Sequence, residues 1–298
     1  MVYLLLIPML LMSIGSGYCQ KKYQSIAPEG AASFMIYAMV IGASCTVMYF
    51  IANGCHWDLR PGVMLFSVIY GLVVVFSTIV TIISLKHAGV VLTNVLTCWS
   101  ILPTLVFDYL TGVRYRPIMF VAVAVGIAAS LVAVVGVHDD AKVNAKGVIA
   151  GLCGGIINAT ATLLLRMFVE YFGTENILEY YGLTNVFVVF WTLVEMGVVA
   201  CLAKKNGGDG NPMRKLKWSH VIFISLSGFF GVINALAVVP FLSKIDYIPY
   251  VIFSTCISRF SVLTVAVLFK EKITLRKIVA LVLGCFSGVL AGIGQNNK

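Results

Sequence analysis

The chain has 298 residues, of which 60% are hydrophobic and 11% charged, and its mean hydropathy is +0.99, far outside the range of a soluble globular domain. Its net charge of +9 does not indicate nucleic acid, because Lys and Arg are scattered over short connectors without interleaved aromatics. The charge instead faces water and lipid headgroups, and the first partner of the chain is the lipid bilayer.

Ten apolar runs are long enough to cross a hydrocarbon core of roughly 30 Å as helices. They cover residues 2–18, 31–52, 62–85, 90–110, 117–137, 147–165, 180–202, 219–242, 248–269 and 276–294. None shows the strict alternation of a lipid-facing barrel strand, so the expected fold class is all-α, a polytopic membrane protein of ten transmembrane helices. The first run lacks the basic segment of a signal peptide, and bulky Tyr18 stands where a small residue would precede cleavage, so it is read as the first transmembrane helix.

Polar residues punctuate the later runs. The third carries Tyr70, Ser77, Thr78 and Thr81, and the fourth Asn94, Thr97, Cys98, Trp99, Ser100 and Asp108. The sixth has Asn158, Thr160, Thr162 and, at its far end, Arg166, beside Gly147, Gly151 and Gly155 at four-residue spacing. Such a ridge lets backbones approach, as ordinary helix packing, a hinge or a homodimer face. The seventh run holds Glu195, the connector at 204–217 reads as a solvated loop, and the eighth run adds Asn234. The ninth places Arg259 near its middle among Ser254, Thr255, Ser258 and Ser261, and the tenth repeats the glycine ridge as Gly284, Gly288 and Gly292.

Eight cysteines form no CxxC pair, and four histidines lack metal-ligand spacing. No phosphate-binding loop of the G-x-x-x-x-G-K-[ST] kind is present. The expectation is a protein without metal or cofactor, and not an enzyme, since no reactive His, Cys or acidic cluster emerges.

An offset of 158 residues lays "TCWSILPTLVFDYL" (97–110) over "TCISRFSVLTVAVL" (255–268), matching Thr97, Cys98, Ser100, Leu105 and Leu110 with Thr255, Cys256, Ser258, Leu263 and Leu268. The repeat divides the chain into residues 1–140 and 141–298, five helices each. Five is odd, so the second half enters the membrane inverted, an arrangement that in transporters places a substrate site near the midplane.

The segment "LFKEKITLRKIVALVLGCFSGVLAG" (268–292) resembles the ninth-to-tenth-helix region of EamA-type members of the drug/metabolite transporter superfamily, with Lys270, Glu271 and Lys272 as the short charged turn. The matching first-half segment, "TGVRYRPIMFVAVAVG" (111–126), has no acidic residue. The resemblance implies a basket in which helices 1, 3, 4, 6, 8 and 9 surround a cavity, and a bacterial cytoplasmic membrane as its location. It also implies an internal amino terminus. Six Lys or Arg would then face inward and fourteen outward, the reverse of the positive-inside rule, so the sequence leaves orientation open.

An arginine at the bilayer centre costs roughly 2.5–3.5 kcal/mol on insertion scales, and three roles fit Arg259. It binds an anionic group on a substrate, forms a structural ion pair with Glu195 or Asp108, or exchanges partners between transport states. Glu195 is read as an ion-pair partner or a proton-coupling group. The expected function is secondary transport, by alternating access, of a small polar solute with an anionic group, such as an amino acid, organic acid or phosphorylated compound. The alternative is an exporter or permease for neutral or cationic solutes in which Arg259 is structural. The expected substrate-binding residues are Arg259, Ser258, Thr255, Asn94, Thr97, Trp99, Asn158, Asn234 and Tyr70.

Overall fold

The computed structural model describes residues 5–28, 30–110, 115–135, 144–205, 212–242, 247–271 and 273–294, with the backbone alone at some helical positions. Among the described residues there is no strand. The helices are α1 (Leu6–Ile26), α2 (Ala31–Ala52), α3 (Pro61–Ala88), α4 (Val90–Leu96), α5 (Ile101–Leu110), α6 (Ile118–Val135), α7 (Ala145–Phe172), α8 (Ile177–Lys205), α9 (Trp218–Leu242), α10 (Tyr247–Leu268) and α11 (Leu275–Gly294). Six of them, α2, α3, α7, α8, α9 and α11, hold stretches long and apolar enough to cross a membrane.

The expected runs reappear as helices with two differences. The run at 90–110 is not one helix: α4 stops at Leu96, and a 3-10 turn over Cys98–Ser100 precedes α5. Pro103 supplies the reason, since it has no N–H to give the carbonyl of Trp99 and its ring would collide with that carbonyl in a continuous helix. Placed in the first turn of α5, the proline is tolerated. Several helices also outrun their apolar stretch. α1 continues through Gln20, Lys21 and Lys22 to Ile26, and α7 runs to Phe172, where Gly173 at φ +79 ends it.

The packing has an internal regularity. The most extensive contacts join α6 to α11, α2 to α8, α3 to α7 and α1 to α9, followed by α3 with α8 and α2 with α9. Exchanging α1, α2, α3 and α6 for α7, α8, α9 and α11 maps this set onto itself. The α7 glycine ridge is used inside the protomer. A Cβ on Gly147 would lie 2.6 Å from the His87 backbone, and one on Gly151 2.6 Å from the Leu96 side chain. A core of buried aliphatic side chains from α4, α10 and α11, with Leu96 and Ala266 fully covered, fixes the broken helix against the last two.

Candidate functional site

A cavity of about 310 Å³ lies where α1, α3, α4, α9 and α10 meet. Its polar lining comes from Ser13, Ser16 and Gln20 of α1, Thr81 of α3, Thr93 and Asn94 of α4, Asn234 of α9, and Ser258 and Ser261 of α10. Among the described residues, none of this lining is charged. Part of it is held by the fold: Ser16 pairs with Ser227 at 3.1 Å, and the Thr93 hydroxyl lies 2.8 Å from that of Ser84 and donates to the Gly89 carbonyl at 2.7 Å. The side-chain amide oxygens of Asn94 and Asn234 are buried and have no hydrogen-bond partner among the described residues. An unmet buried acceptor costs about 1–3 kcal/mol, and both residues belong to the cavity wall.

Arg259 follows Ser258 but does not line this space. Its Nη1 donates to the Asn94 carbonyl at 3.0 Å and its Nη2 to Cys98 Sγ at 3.0 Å. The Asn94 carbonyl is available because α4 ends two residues later, and it also accepts from the Thr97 hydroxyl at 2.8 Å. The guanidinium therefore caps the broken helix from the facing one. Gly284 of α11 makes room for the arrangement, since a Cβ there would lie 2.7 Å from Cys98 Sγ and 3.8 Å from Arg259 Cζ.

Of the expected substrate-binding residues, Asn94, Asn234 and Ser258 share the cavity, as do Thr81 and Ser261 from the polar positions noted beside them. Thr97 sits at the break, bonded to Asn94. Trp99 donates its indole N–H to the Leu152 carbonyl at 3.0 Å and packs on Gly155, which ties the break to α7. Tyr70 belongs to an aromatic cluster with Phe168 and Tyr180, its ring 5.2 Å from that of Tyr180. Asn158 lies on an exposed face of α7. The side chains of Thr255 and Asp108 lie outside the described residues. Glu195 keeps one carboxylate oxygen buried without a partner, and among the described residues neither it nor any other acid pairs with Arg259. The first helix was expected at the cavity, but its side chains were not singled out, although Ser13, Ser16 and Gln20 stand at i, i+3 and i+7 and thus share one helix face.

Over its described residues the molecule is therefore all-helical, with the build of an integral membrane protein and a polar cavity between its helices. No family model and no curated protein matches the chain. A solved structure described only as a crystal structure of a protein is 15% identical over 95% of this chain and 97% of its own, with a TM-score of 0.48.

Proposed function

We propose that the chain is a secondary carrier of the drug/metabolite transporter type that moves a small, uncharged, hydrogen-bonding solute across a membrane by alternating access. The observation that carries this reading is the cavity, lined by hydroxyls and amides from α1, α3, α4, α9 and α10, with no charged side chain among the described residues. The packing that survives exchange of the two halves supports an inverted repeat with the cavity between its parts. A volume of about 310 Å³ is at the small end of ligand sites and holds roughly ten waters' worth of solute.

The solute class follows from where charge is and is not. The Arg259 guanidinium is turned away from the cavity, with Nη1 and Nη2 each donating at 3.0 Å to the broken helix and Nε buried without a partner among the described residues, so an anion in the cavity would not meet its fork directly. A charged solute would enter without a partner in the lining, at the cost of its desolvation. An uncharged solute bearing both donors and acceptors meets Asn94, Asn234 and the hydroxyls directly. The test is a thermal-stability screen of the purified protein with anionic, cationic, zwitterionic and neutral solutes, followed by uptake in vesicles. Neutral amides or polyols at about 100 times their dissociation constant should stabilise the protein by roughly 2.7 kcal/mol. Stabilisation by anions alone, lost in Arg259→Gln, would return the site to an anionic substrate.

A further inference from the structure

Lys21 and Glu271 form an ion pair at 2.9 Å, each side chain only 18% exposed. The pair joins segments far apart in the chain. Lys21 is in the last third of α1 and also donates to the Leu85 carbonyl of α3 at 3.3 Å. Glu271 follows α10 and accepts the Val90 N–H on both carboxylate oxygens at 3.2 Å. The α3–α4 corner is shaped for that carboxylate: Gly89 has φ +83, and a Cβ there would stand 3.1 Å from Glu271 Oε2. On the other side, Lys270 turns the chain at φ +52, and the Glu271 N–H returns to the Ala266 carbonyl at 2.9 Å. A non-glycine residue in this region is held there by its surroundings.

The pair stands at one end of the cavity. Gln20, which lines it, precedes Lys21, and the other lining residues Leu85 and Val90 supply the backbone groups that the pair grips. Beside them Tyr18 packs on Phe269 with ring centroids 5.2 Å apart. Resting on the carrier reading above, we infer that Lys21 and Glu271 form a latch that closes this end of the cavity, and that their parting opens it to one membrane face. The latch is one-sided. The corresponding first-half connector, "TGVRYRP" at 111–117, offers no acidic residue, so the opposite end cannot close by the same pairing. Closure by Lys21 and Glu271 thus marks one of the two alternating states.

The test measures access rather than transport. Ser261→Cys places a thiol in the cavity of the full-length protein, with exposed Cys55, Cys153 and Cys201 replaced by Ser and the same background without Ser261→Cys as baseline. Its labelling by a membrane-impermeant maleimide is followed in vesicles from both faces. Glu271→Gln should raise the labelling rate from one face by about tenfold, the size of a lost charge-assisted contact. Lys21→Met should raise it less, because Glu271 keeps the Val90 N–H. Unchanged labelling in Lys21→Met and in every folded Glu271→Gln preparation overturns the latch, whatever solute exchange shows. Faster labelling without solute movement by the parent protein keeps the latch and removes the carrier reading.

Discussion

Replacing Arg259 by Met tests whether the buried charge serves the fold or the solute. The substitution removes one charge-assisted hydrogen bond to the Asn94 carbonyl, worth about 1.5–3 kcal/mol, and a weaker one to the Cys98 thiol. It also removes a cation whose placement at a helix centre costs roughly 2.5–3.5 kcal/mol. The carbonyl is not orphaned, because the Thr97 hydroxyl still donates to it at 2.8 Å. The two effects cancel to within about 2 kcal/mol, so the thermal transition should stay within roughly 4–8 °C of the parent. Arg259→Lys should do worse than Arg259→Met. An ammonium keeps the cost of a buried cation but cannot span the two acceptors that the planar fork reaches. Differential scanning of the three proteins in detergent, alone and with the stabilising solutes, gives the answer. If Arg259→Met keeps its transition but no longer responds to any solute that stabilises the parent, the guanidinium touches the solute and the structural reading fails.

Two further expectations rest on local geometry. Gly284→Ala drives a Cβ to 2.7 Å from Cys98 Sγ and should destabilise by about 1–3 kcal/mol, while Cys98→Ala in the same chain restores most of it. Strict additivity of the two changes in unfolding measurements would show that the sulfur is not the obstacle. In the α2–α3 connector, hydrogen bonds from His56 and then Arg60 hold the Asp58 carboxyl below its ordinary range. Its folded value is the lower one, so the loop contact is fully present above the ordinary carboxylate pKa and is lost as pH falls through the depressed value. Carboxyl carbon shifts followed against pH should show this midpoint, and Arg60→Gln should move it upward; a midpoint indifferent to Arg60 refutes the assignment.

Much of the helical layout was legible because apolar length is a local property. The ends of helices were not. The first apolar run ends at residue 18, yet α1 continues to Ile26, and Lys21 in that extension meets Glu271, 250 positions further along the chain. The break after Leu96 had a visible signal in Pro103, which bars a helical bond to Trp99, but the apolar run across it concealed the interruption. Asn94, Asn234 and Ser258 were recoverable since polar side chains in membrane helices turn inward. Trp99 and Tyr70 were not, because what satisfies them is the Leu152 carbonyl and the face of Tyr180, both supplied by other helices. Ser13, Ser16 and Gln20 were readable from spacing alone, and a stripe of three polar residues on an apolar helix is the pattern to look for in such chains.

The central arginine and the broken helix explain each other. Away from water, a helix interrupted at Thr97 leaves carbonyls that cost several kcal/mol if unmet. A guanidinium on the facing helix meets Asn94 without water, and the break gives the guanidinium the acceptors it needs. Each offsets part of the other's cost, and the Thr97 hydroxyl shares the Asn94 carbonyl with the guanidinium. Asn94 then stands at two places at once: its backbone carbonyl holds Arg259, while the residue also lines the cavity, with its side-chain oxygen unmet among the described residues. The same short helix also carries, at Val90, the N–H that Glu271 grips at the cavity's end, so α4 joins the arginine, the cavity wall and the ion pair in seven residues.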